Sequence, residues 1–164
     1  MADPQSQPTP NAGEQSLVQF GIDRIYVKDL SLENPGAPQS FQINEPPQFE
    51  VGLRTKTDKI DADLYESVLT VTVTAKSGDK TLFLVEVAQA GIFTIKGVAV
   101  NQLQPVIAIH CPTILFPYAR ETIASATARA GYPPMHLAPI NFEMLYQQQL
   151  AQMQAQSPVA TSVN

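Results

Sequence analysis

The sequence is short of the residues from which most catalytic and metal-binding sites are built. Its 164 residues include one cysteine and two histidines, at Cys111, His110 and His136. One cysteine cannot form an internal disulfide, which fits a reducing compartment. The three residues also lack the Cys-x-x-Cys or His-x-x-x-His spacing of a metal site. We therefore expect no metal and no cofactor.

An enzyme is disfavoured for the same reason. A small hydrolase that uses Cys111 or His136 is the alternative to consider, because an imidazole beside a thiol can activate it. Adjacent residues on a helix, however, point about 100° apart, so the side chains of His110 and Cys111 would not meet there. No Gly-x-x-x-x-Gly-Lys-Ser/Thr loop for phosphates is present either. We expect a protein that is not an enzyme.

Clustered basic residues and long apolar runs are also missing. The ten Lys and Arg are scattered and the net charge is −5, which argues against a nucleic acid partner. No apolar run approaches the roughly 20 residues of a membrane span. The first ten residues have neither the basic start nor the apolar run of a secretory signal. These absences predict a soluble, cytoplasmic protein with no direct membrane insertion.

Charge is scarce in the second half of the chain. Residues 97–164 contain only four charged side chains, Arg120, Glu121, Arg129 and Glu143. A low-charge, apolar half in a soluble protein indicates a surface that is covered by a partner or used for binding. Oligomerisation is the simplest way to bury such a surface.

The composition divides the chain into one domain and two tails. Residues 1–16 and 155–164 are rich in polar residues without periodicity, and we predict that both are disordered. Residues 17–154 form the predicted domain, and the chain as a whole is 44% hydrophobic, which is enough to build a core.

The domain begins with strands. A first strand begins near Val18, and a change in apolar parity at Ile25 predicts a bulge before the turn at residues 34–38. Alternation at Phe49, Val51 and Leu53 predicts a second strand. The segment 77–79 predicts a hairpin between two further strands, so four antiparallel strands follow in succession.

Two helices follow the strands. The first is predicted to begin near Pro112 and to end at Gly131, with Pro117 inside it. Asn141 is the predicted N-cap of the second. The first apolar stripe is Ile114, Leu115, Tyr118, Thr122, Ile123 and Ala126, and the second is Phe142, Leu145, Tyr146, Gln149, Leu150 and Met153. Strands followed by helices indicate an α+β domain.

Proline and aromatic residues are unusually combined after residue 110. The segments 111–121 (Cys-Pro-Thr-Ile-Leu-Phe-Pro-Tyr-Ala-Arg-Glu) and 131–146 (Gly-Tyr-Pro-Pro-Met-His-Leu-Ala-Pro-Ile-Asn-Phe-Glu-Met-Leu-Tyr) carry five prolines. Together with residues 24–38, 65–74 and 83–93, they resemble the SecB family of bacterial protein-export chaperones. The order and spacing of these blocks agree over most of residues 18–150.

The resemblance implies a fold and a function. The fold is a four-stranded antiparallel sheet followed by two helices packed on one face, assembling as a dimer of dimers. The function is that of an ATP-independent chaperone that keeps precursor proteins unfolded and delivers them to the SecA motor ATPase. The expected partners are therefore unfolded precursors, SecA and the chain itself as a homotetramer. A general cytoplasmic holdase or a toxin–antitoxin-associated chaperone on the same fold is the alternative.

Acidic residues on the predicted strands have two interpretations. Composition alone favours plain solubility on a wet sheet face. The resemblance instead implies that Asp29, Glu33, Leu84 and Glu86 form a flat docking surface for SecA. A flat acidic patch suits electrostatic steering of a basic partner.

Aromatic residues in irregular segments are candidates for a groove that takes up extended polypeptide. The residues chosen for the client groove are Phe41, Phe49, Tyr132, Met135 and Phe142. Core packing is the competing interpretation, and it is favoured for Phe49, Phe116 and Tyr118 taken singly. The resemblance places such grooves between the sheet, the loop after the first strand and the helix connector.

The resemblance also implies an oligomer interface and a further contact in the tail. Val85, Val87 and Gln89 are expected on the helix-facing side of the sheet, near the contact between dimers. Family members commonly place further SecA contacts in the C-terminal tail. In this chain residues 147–164 carry no charged side chain, so such a contact would be weaker or would use the backbone and the terminal carboxylate.

Overall fold

The computed structural model describes residues 17–156. The tail predicted at residues 1–16 and residues 157–164 of the second tail lie outside the described residues, whereas residues 155 and 156 belong to the last helix. The strands are β1 (Gln19–Glu33), β2 (Gln48–Asp61), β3 (Leu64–Ser77) and β4 (Lys80–Lys96), and the helices are α1 (Val100–Pro105), α2 (Cys111–Arg129) and α3 (Phe142–Gln156).

The four strands form one antiparallel sheet in the order β1-β4-β3-β2. Tight turns join β2 to β3 and β3 to β4, and the second of these uses Gly78 at a φ of 56°. The hairpin predicted at residues 77–79 is therefore confirmed. β1 instead pairs with β4, because the long loop at residues 34–47 carries the chain across the end of the sheet. β1 and β2 are the two edge strands.

β1 is irregular at two points. The pairing of β1 with β4 shifts between Ile22 and Arg24 and again between Val27 and Asp29. The predicted break in alternation is thus confirmed, and a second one follows it. An extra residue turns the following side chains to the other face of the sheet. The second shift places Asp29 opposite Ala88 and Glu33 opposite Leu84.

The core lies between β3, β4 and α2. Val71, Val73, Val85 and Val87 have no exposed surface, and they pack with buried residues of α2 such as Leu115. This arrangement follows from the period of two in the strands, which sends odd-numbered residues of β3 and β4 toward the helices. The sheet is therefore covered on one face only.

The helical part of the chain begins earlier than predicted. α2 begins at Cys111, as expected near Pro112, but α1 and a π-helical turn at Val106–His110 precede it. A proline in a helix clashes with the carbonyl group four residues before it, and a wider turn relieves that clash. The π-helical turn lies where Pro112 requires this relief, and Pro117 lies inside α2 without ending it.

α2 presents a different stripe from the predicted one. Leu115, Ile123 and Ala126 are buried as expected, but Tyr118 is 50% exposed. Phe116 and Ala119 are buried in its place. The buried stripe is therefore rotated toward Phe116. Gly131, at a φ of 91°, follows the end of α2 as predicted.

α3 begins at the predicted cap. The Asn141 side-chain oxygen accepts a hydrogen bond from the Met144 backbone N–H at 2.9 Å, which confirms its role as the N-cap. Beyond Phe142, most of α3 is exposed or half-buried. No helix within residues 17–156 is long and apolar enough to cross a membrane.

Candidate functional site

A cavity of about 650 Å³ opens at the end of the sheet where the loop at residues 34–47 meets the connector between α2 and α3. Its walls include Phe41 from the loop, Tyr132 and Met135 from the connector, and Phe49 and Phe83 from the sheet. Charged groups are scarce in the lining, which includes one carboxylate, that of Glu45. The cavity is suited to apolar side chains.

The aromatic rings of this cavity form a connected wall. The ring of Tyr132 lies between Phe41 and Phe83, at centroid distances of 5.2 and 4.9 Å, and Phe83 is 6.4 Å from Phe49. Phe83 is buried, whereas Phe41 is 51% and Phe49 is 47% exposed. Half-exposed rings held by a buried neighbour offer apolar surface in a fixed arrangement.

Two further cavities lie along β2, the strand that carries Phe49. One of about 470 Å³ is lined by Leu53, Thr55 and Phe142, and one of about 550 Å³ by Thr55, Lys59 and Leu150. We call the three cavities together the β2 groove. The inward-facing residues of β2 run from Phe49 to Lys59, a distance of about 33 Å at 3.3 Å per residue. Such a length suits an extended segment of about ten residues.

The groove exists because the helices cover only part of the sheet. α2 packs on β3 and β4, while β2 is an edge strand. Phe49, Val51 and Leu53 of β2 therefore keep a third to a half of their surface exposed. α3 contacts the π-helical turn and leaves a gap over β2.

The predicted groove residues divide between two cavities. Phe41, Phe49, Tyr132 and Met135 line the first cavity together. Phe142 lines the second cavity and is otherwise buried against Phe116, with ring centroids 5.8 Å apart. The competing core interpretation holds for Phe116 and is wrong for Phe49 and Tyr118, which are about half exposed.

Several residues that line the first cavity were not among the groove residues predicted from the sequence. Ser40, Leu82 and Phe83 also face it. Phe83 lies on the helix-facing side of β4 together with Val85 and Val87, but alternation along a strand does not show that a cavity reaches it. Ser40 is a small polar residue in a loop, and its sequence context carries no signal of burial.

The predicted SecA-docking residues share the opposite face of the sheet. In the register of β1 and β4, Glu33 lies opposite Leu84 and Ser31 opposite Glu86, while Asp29 lies two residues farther along the same face. The Thr72 hydroxyl donates a hydrogen bond of 2.6 Å to Glu86. We call Asp29, Glu33, Leu84 and Glu86 the acidic face.

The carboxylates of the acidic face are not neutralised by neighbouring lysines. Within residues 17–156, Asp29, Glu33 and Glu86 have no ion-pair partner. Three other carboxylates of this side of the sheet are paired: Glu50 with Lys76, Asp58 with Lys56, and Glu66 with Lys28. Uncompensated negative charge is thus concentrated on one part of the face.

The predicted interface residues lie inside the chain. Val85 and Val87 have no exposed surface and Gln89 is 2% exposed, on the helix-facing side of β4. The Gln89 amide donates a hydrogen bond of 3.0 Å to the Tyr26 carbonyl group. α2 of the same chain covers this face, so these residues do not reach a neighbouring subunit directly. They would contribute to an interface only through their packing against α2. Their role at an interface stays a prediction.

The only cysteine of the sequence is in no position to react. Cys111 has no exposed surface, and burial raises the pKa of its thiol to about 12, so the thiol stays protonated at neutral pH. His136 is exposed at the rim of the first cavity. Among residues 17–156, no group of three or more His, Cys, Asp or Glu side chains is placed to hold a metal ion.

Comparison with known proteins identifies the family. The family model for the preprotein translocase subunit SecB matches residues 13–153. The chain belongs to the SecB family. This is a family of protein-export chaperones that are not enzymes, and the resemblance noted in the sequence is confirmed.

Individual relatives agree with the family model. The chain is 55% identical over 139 residues to the protein-export protein SecB of Azoarcus, which covers 84% of this chain and 92% of the relative. It is 54% identical over 144 residues to the protein of the same name from Dechloromonas aromatica, covering 88% of this chain and 94% of the relative.

A solved structure confirms the fold. The SecB-like chaperone of Mycobacterium tuberculosis, in complex with a ChAD peptide from an antitoxin, matches with a TM-score of 0.63. The match covers 74% of this chain and 90% of the other at 16% identity, a level at which the likeness shows the fold alone.

Proposed function

We propose that the β2 groove holds unfolded segments of precursor proteins and that the chain keeps them competent for translocation without ATP. The observation that carries this proposal is the row of three cavities along β2, an edge strand whose inward-facing residues span about 33 Å and whose first cavity has a mainly apolar, aromatic wall. A folded protein presents no extended segment that fits such a trough. Selectivity for unfolded chains therefore requires no sequence recognition.

One groove binds weakly. Burying about 1,000 Å² of client apolar surface gives roughly 25 kcal/mol, while fixing ten to fifteen backbone residues costs on the order of 10 to 30 kcal/mol. These two quantities nearly cancel. Useful retention then requires several grooves acting on one client, because linked sites raise the effective concentration.

A homotetramer, assembled as a dimer of dimers, supplies these grooves in our proposal. The edge strand β1 supports it, since apolar side chains such as Ile22, Val27 and Leu30 are about half exposed there. An exposed edge strand with apolar residues favours pairing with a second copy. The low charge of residues 97–164 supports a second contact, through the helices.

SecA docking is assigned to the acidic face. Its support is geometric and electrostatic: Asp29, Glu33 and Glu86 carry unpaired charge on one face of the sheet, on the side away from the helices. This placement separates the motor from the client, which occupies the helix side. A ternary complex of client, chaperone and SecA is then sterically possible. We place this work in the cytoplasm, where precursors are made.

A reconstituted translocation assay tests the proposal. An urea-denatured precursor is diluted into the protein, with SecA, ATP and inverted membrane vesicles added after a delay. Precursor that has entered the vesicles is protected from added protease. With the protein present, protected precursor should still form after delays at which none forms without the protein. A general holdase would prevent aggregation equally well, but its benefit would survive charge reversal at Asp29 and Glu86. Failure to prevent aggregation of any unfolded precursor would contradict the proposal.

A further inference from the structure

One hydroxyl group joins the segments that form the first cavity of the β2 groove. The Tyr132 hydroxyl lies 2.7 Å from the Ser40 hydroxyl, 3.1 Å from the Asn34 side-chain oxygen and 3.4 Å from the Leu82 carbonyl oxygen. These residues are more than 45 positions away from Tyr132 along the chain. The hydroxyl therefore connects the end of β1, the loop after it, the start of β4 and the connector.

The directions of these hydrogen bonds are fixed by the donors available. The Asn34 amide nitrogen donates to the Ala130 carbonyl oxygen at 3.0 Å, so the Asn34 oxygen is the end that faces Tyr132. Tyr132 has one proton and donates it to that oxygen, which is nearer than the Leu82 carbonyl oxygen. Ser40 then donates to Tyr132. The result is a chain of hydrogen bonds that runs from Ser40 through Tyr132 and Asn34 to the Ala130 carbonyl oxygen of the connector.

The burial of Ser40 makes these hydrogen bonds sensitive to the loss of the Tyr132 hydroxyl. Ser40 is 6% exposed although it lies in a loop, within a short 3-10 turn at Gln39–Gln42. Without the Tyr132 hydroxyl, the buried Ser40 side chain would lack its partner. Because burying an unpaired hydroxyl is unfavourable, the turn that contains Ser40 would open more often and expose this side chain to water. The turn that Ser40 belongs to also carries Phe41, which forms one wall of the cavity.

The ring of Tyr132 does not depend on the hydroxyl. It packs between Phe41 and Phe83, and a Cβ atom at Gly131 would come within 3.0 Å of Phe41. Phenylalanine at position 132 would keep this packing. The hydroxyl therefore adds only the connection between the loop and the connector, and that connection can be removed by itself.

We propose that Tyr132 is a positioning residue whose hydroxyl clasps the loop at residues 34–47 to the connector between α2 and α3, and so keeps the first cavity preformed for the client. The inference rests on the proposed function of the groove. The apparent affinity for the client is proportional to the fraction of protein molecules in which the cavity has its binding conformation. A loop held in place by Tyr132 keeps that fraction high.

The test uses the full-length Tyr132→Phe variant and a fluorescein-labelled peptide of alternating leucine, serine and lysine. The dissociation constant should rise about five- to tenfold, mainly through slower association. Hydrogen exchange should accelerate at the backbone N–H groups of Ser40, Phe41 and Ile43, which are bonded within the turn. Ser40→Ala should weaken binding similarly, and the double variant should be no worse than either single one.

Two controls separate positioning from general stability. Tyr118→Phe removes a hydroxyl outside the groove and should change nothing. Gly91→Ala strains the core beneath α2 and should lower the unfolding temperature without changing peptide affinity. The proposed role of the Tyr132 hydroxyl would be wrong if the peptide dissociation constant of Tyr132→Phe lies within twofold of the original protein's. It would also be wrong if hydrogen exchange at residues 40–43 is unchanged. If the original protein fails to bind peptide, the proposed function falls, while the exchange rates still decide whether the hydroxyl holds the turn.

Discussion

Gly91 of β4 lies directly against Leu115 of α2. A Cβ atom on Gly91 would stand 3.0 Å from the Leu115 Cδ2 atom and 2.8 Å from the Phe93 ring. Both neighbours are fully buried and cannot move into solvent. The absence of a side chain at Gly91 therefore makes room for the Leu115 side chain and the Phe93 ring in the core.

We expect Gly91→Ala to lower the free energy of unfolding by about 1 to 3 kcal/mol, because overpacking forces core side chains out of their rotamers. Urea denaturation followed by circular dichroism measures it. Gly52→Ala is the matched control on the same sheet, since its Cβ atom would meet nothing nearer than 3.8 Å. Equal stability of the two variants would show that α2 does not rest on Gly91.

The acidic face predicts a separation of two binding activities. Asp29→Lys combined with Glu86→Lys should weaken SecA binding by at least about tenfold, because like charges then face the basic partner. Client capture should be unchanged, since the groove lies on the other side of the sheet. Both are measurable by surface plasmon resonance, and SecA binding should also weaken as salt is raised.

Glu50→Lys is the control for this pair. Glu50 lies on the same side of the sheet but is paired with Lys76 at 2.9 Å, so it adds little net charge. Its reversal changes the charge as much as each of the other two reversals, but on the opposite edge strand, so SecA binding should weaken much less. If the double reversal abolishes SecA binding and client capture together, the proposed division between the two faces is wrong.

The first cavity predicts a role for an exposed ring. Phe49→Ala should weaken client binding about fivefold, because a half-exposed ring that a client covers contributes roughly 1 kcal/mol. Fluorescence anisotropy with the labelled peptide measures the change. Ile60→Ala is the matched control, since Ile60 is also about half exposed on β2 but lines none of the three cavities. Equal losses for both variants would contradict a localised groove.

The buried thiol predicts alkaline sensitivity. Burial raises the pKa of Cys111 from an ordinary value of 9.0 to about 12. Below pH 9 the thiol is protonated in both the folded and the unfolded states and favours neither. Between pH 9 and 12 only the unfolded state loses the proton, so stability falls as the pH rises, by roughly 2 kcal/mol at pH 10.5.

Urea unfolding at pH 8 and pH 10.5 checks this pH dependence. Tyr26 also has its pKa raised to about 12, chiefly by burial, with Glu66 beside it, so part of the loss at alkaline pH belongs to that residue. Cys111→Ala removes the cysteine's share and should lose less stability between the two pH values than the original protein does. Identical losses in both proteins would mean that the thiol is accessible to solvent in the folded state.

Local patterns predicted the elements of this fold well, but they did not predict the partner of β1. The cap at Asn141, the hairpin at residues 77–79 and the end of α2 at Gly131 depend on a few adjacent residues, and each is confirmed. The pairing of β1 with β4 is decided by the path of a long loop. Alternation in β1 states which residues share a face, but it carries no information about the neighbouring strand.

The site was predictable where composition revealed it and not where distant residues meet. Aromatic residues in loops indicated Phe41 and Tyr132, and these line one cavity. The contact of Ser40 with Tyr132 joins residues 92 positions apart, which no local pattern specifies. Tyr118 was misplaced because Tyr118 and Ala119 both fit the helical period after Leu115, and the packing of α2 on the sheet decides which of them is buried.

Native mass spectrometry tests the central claim most directly. The purified protein is measured alone and with a slow-folding precursor, presented either chemically unfolded or already folded, without nucleotide. The account predicts a species of about four times the 17.8 kDa protomer that captures the unfolded precursor only. A monomer, or a complex that forms equally well with the folded precursor, would contradict it.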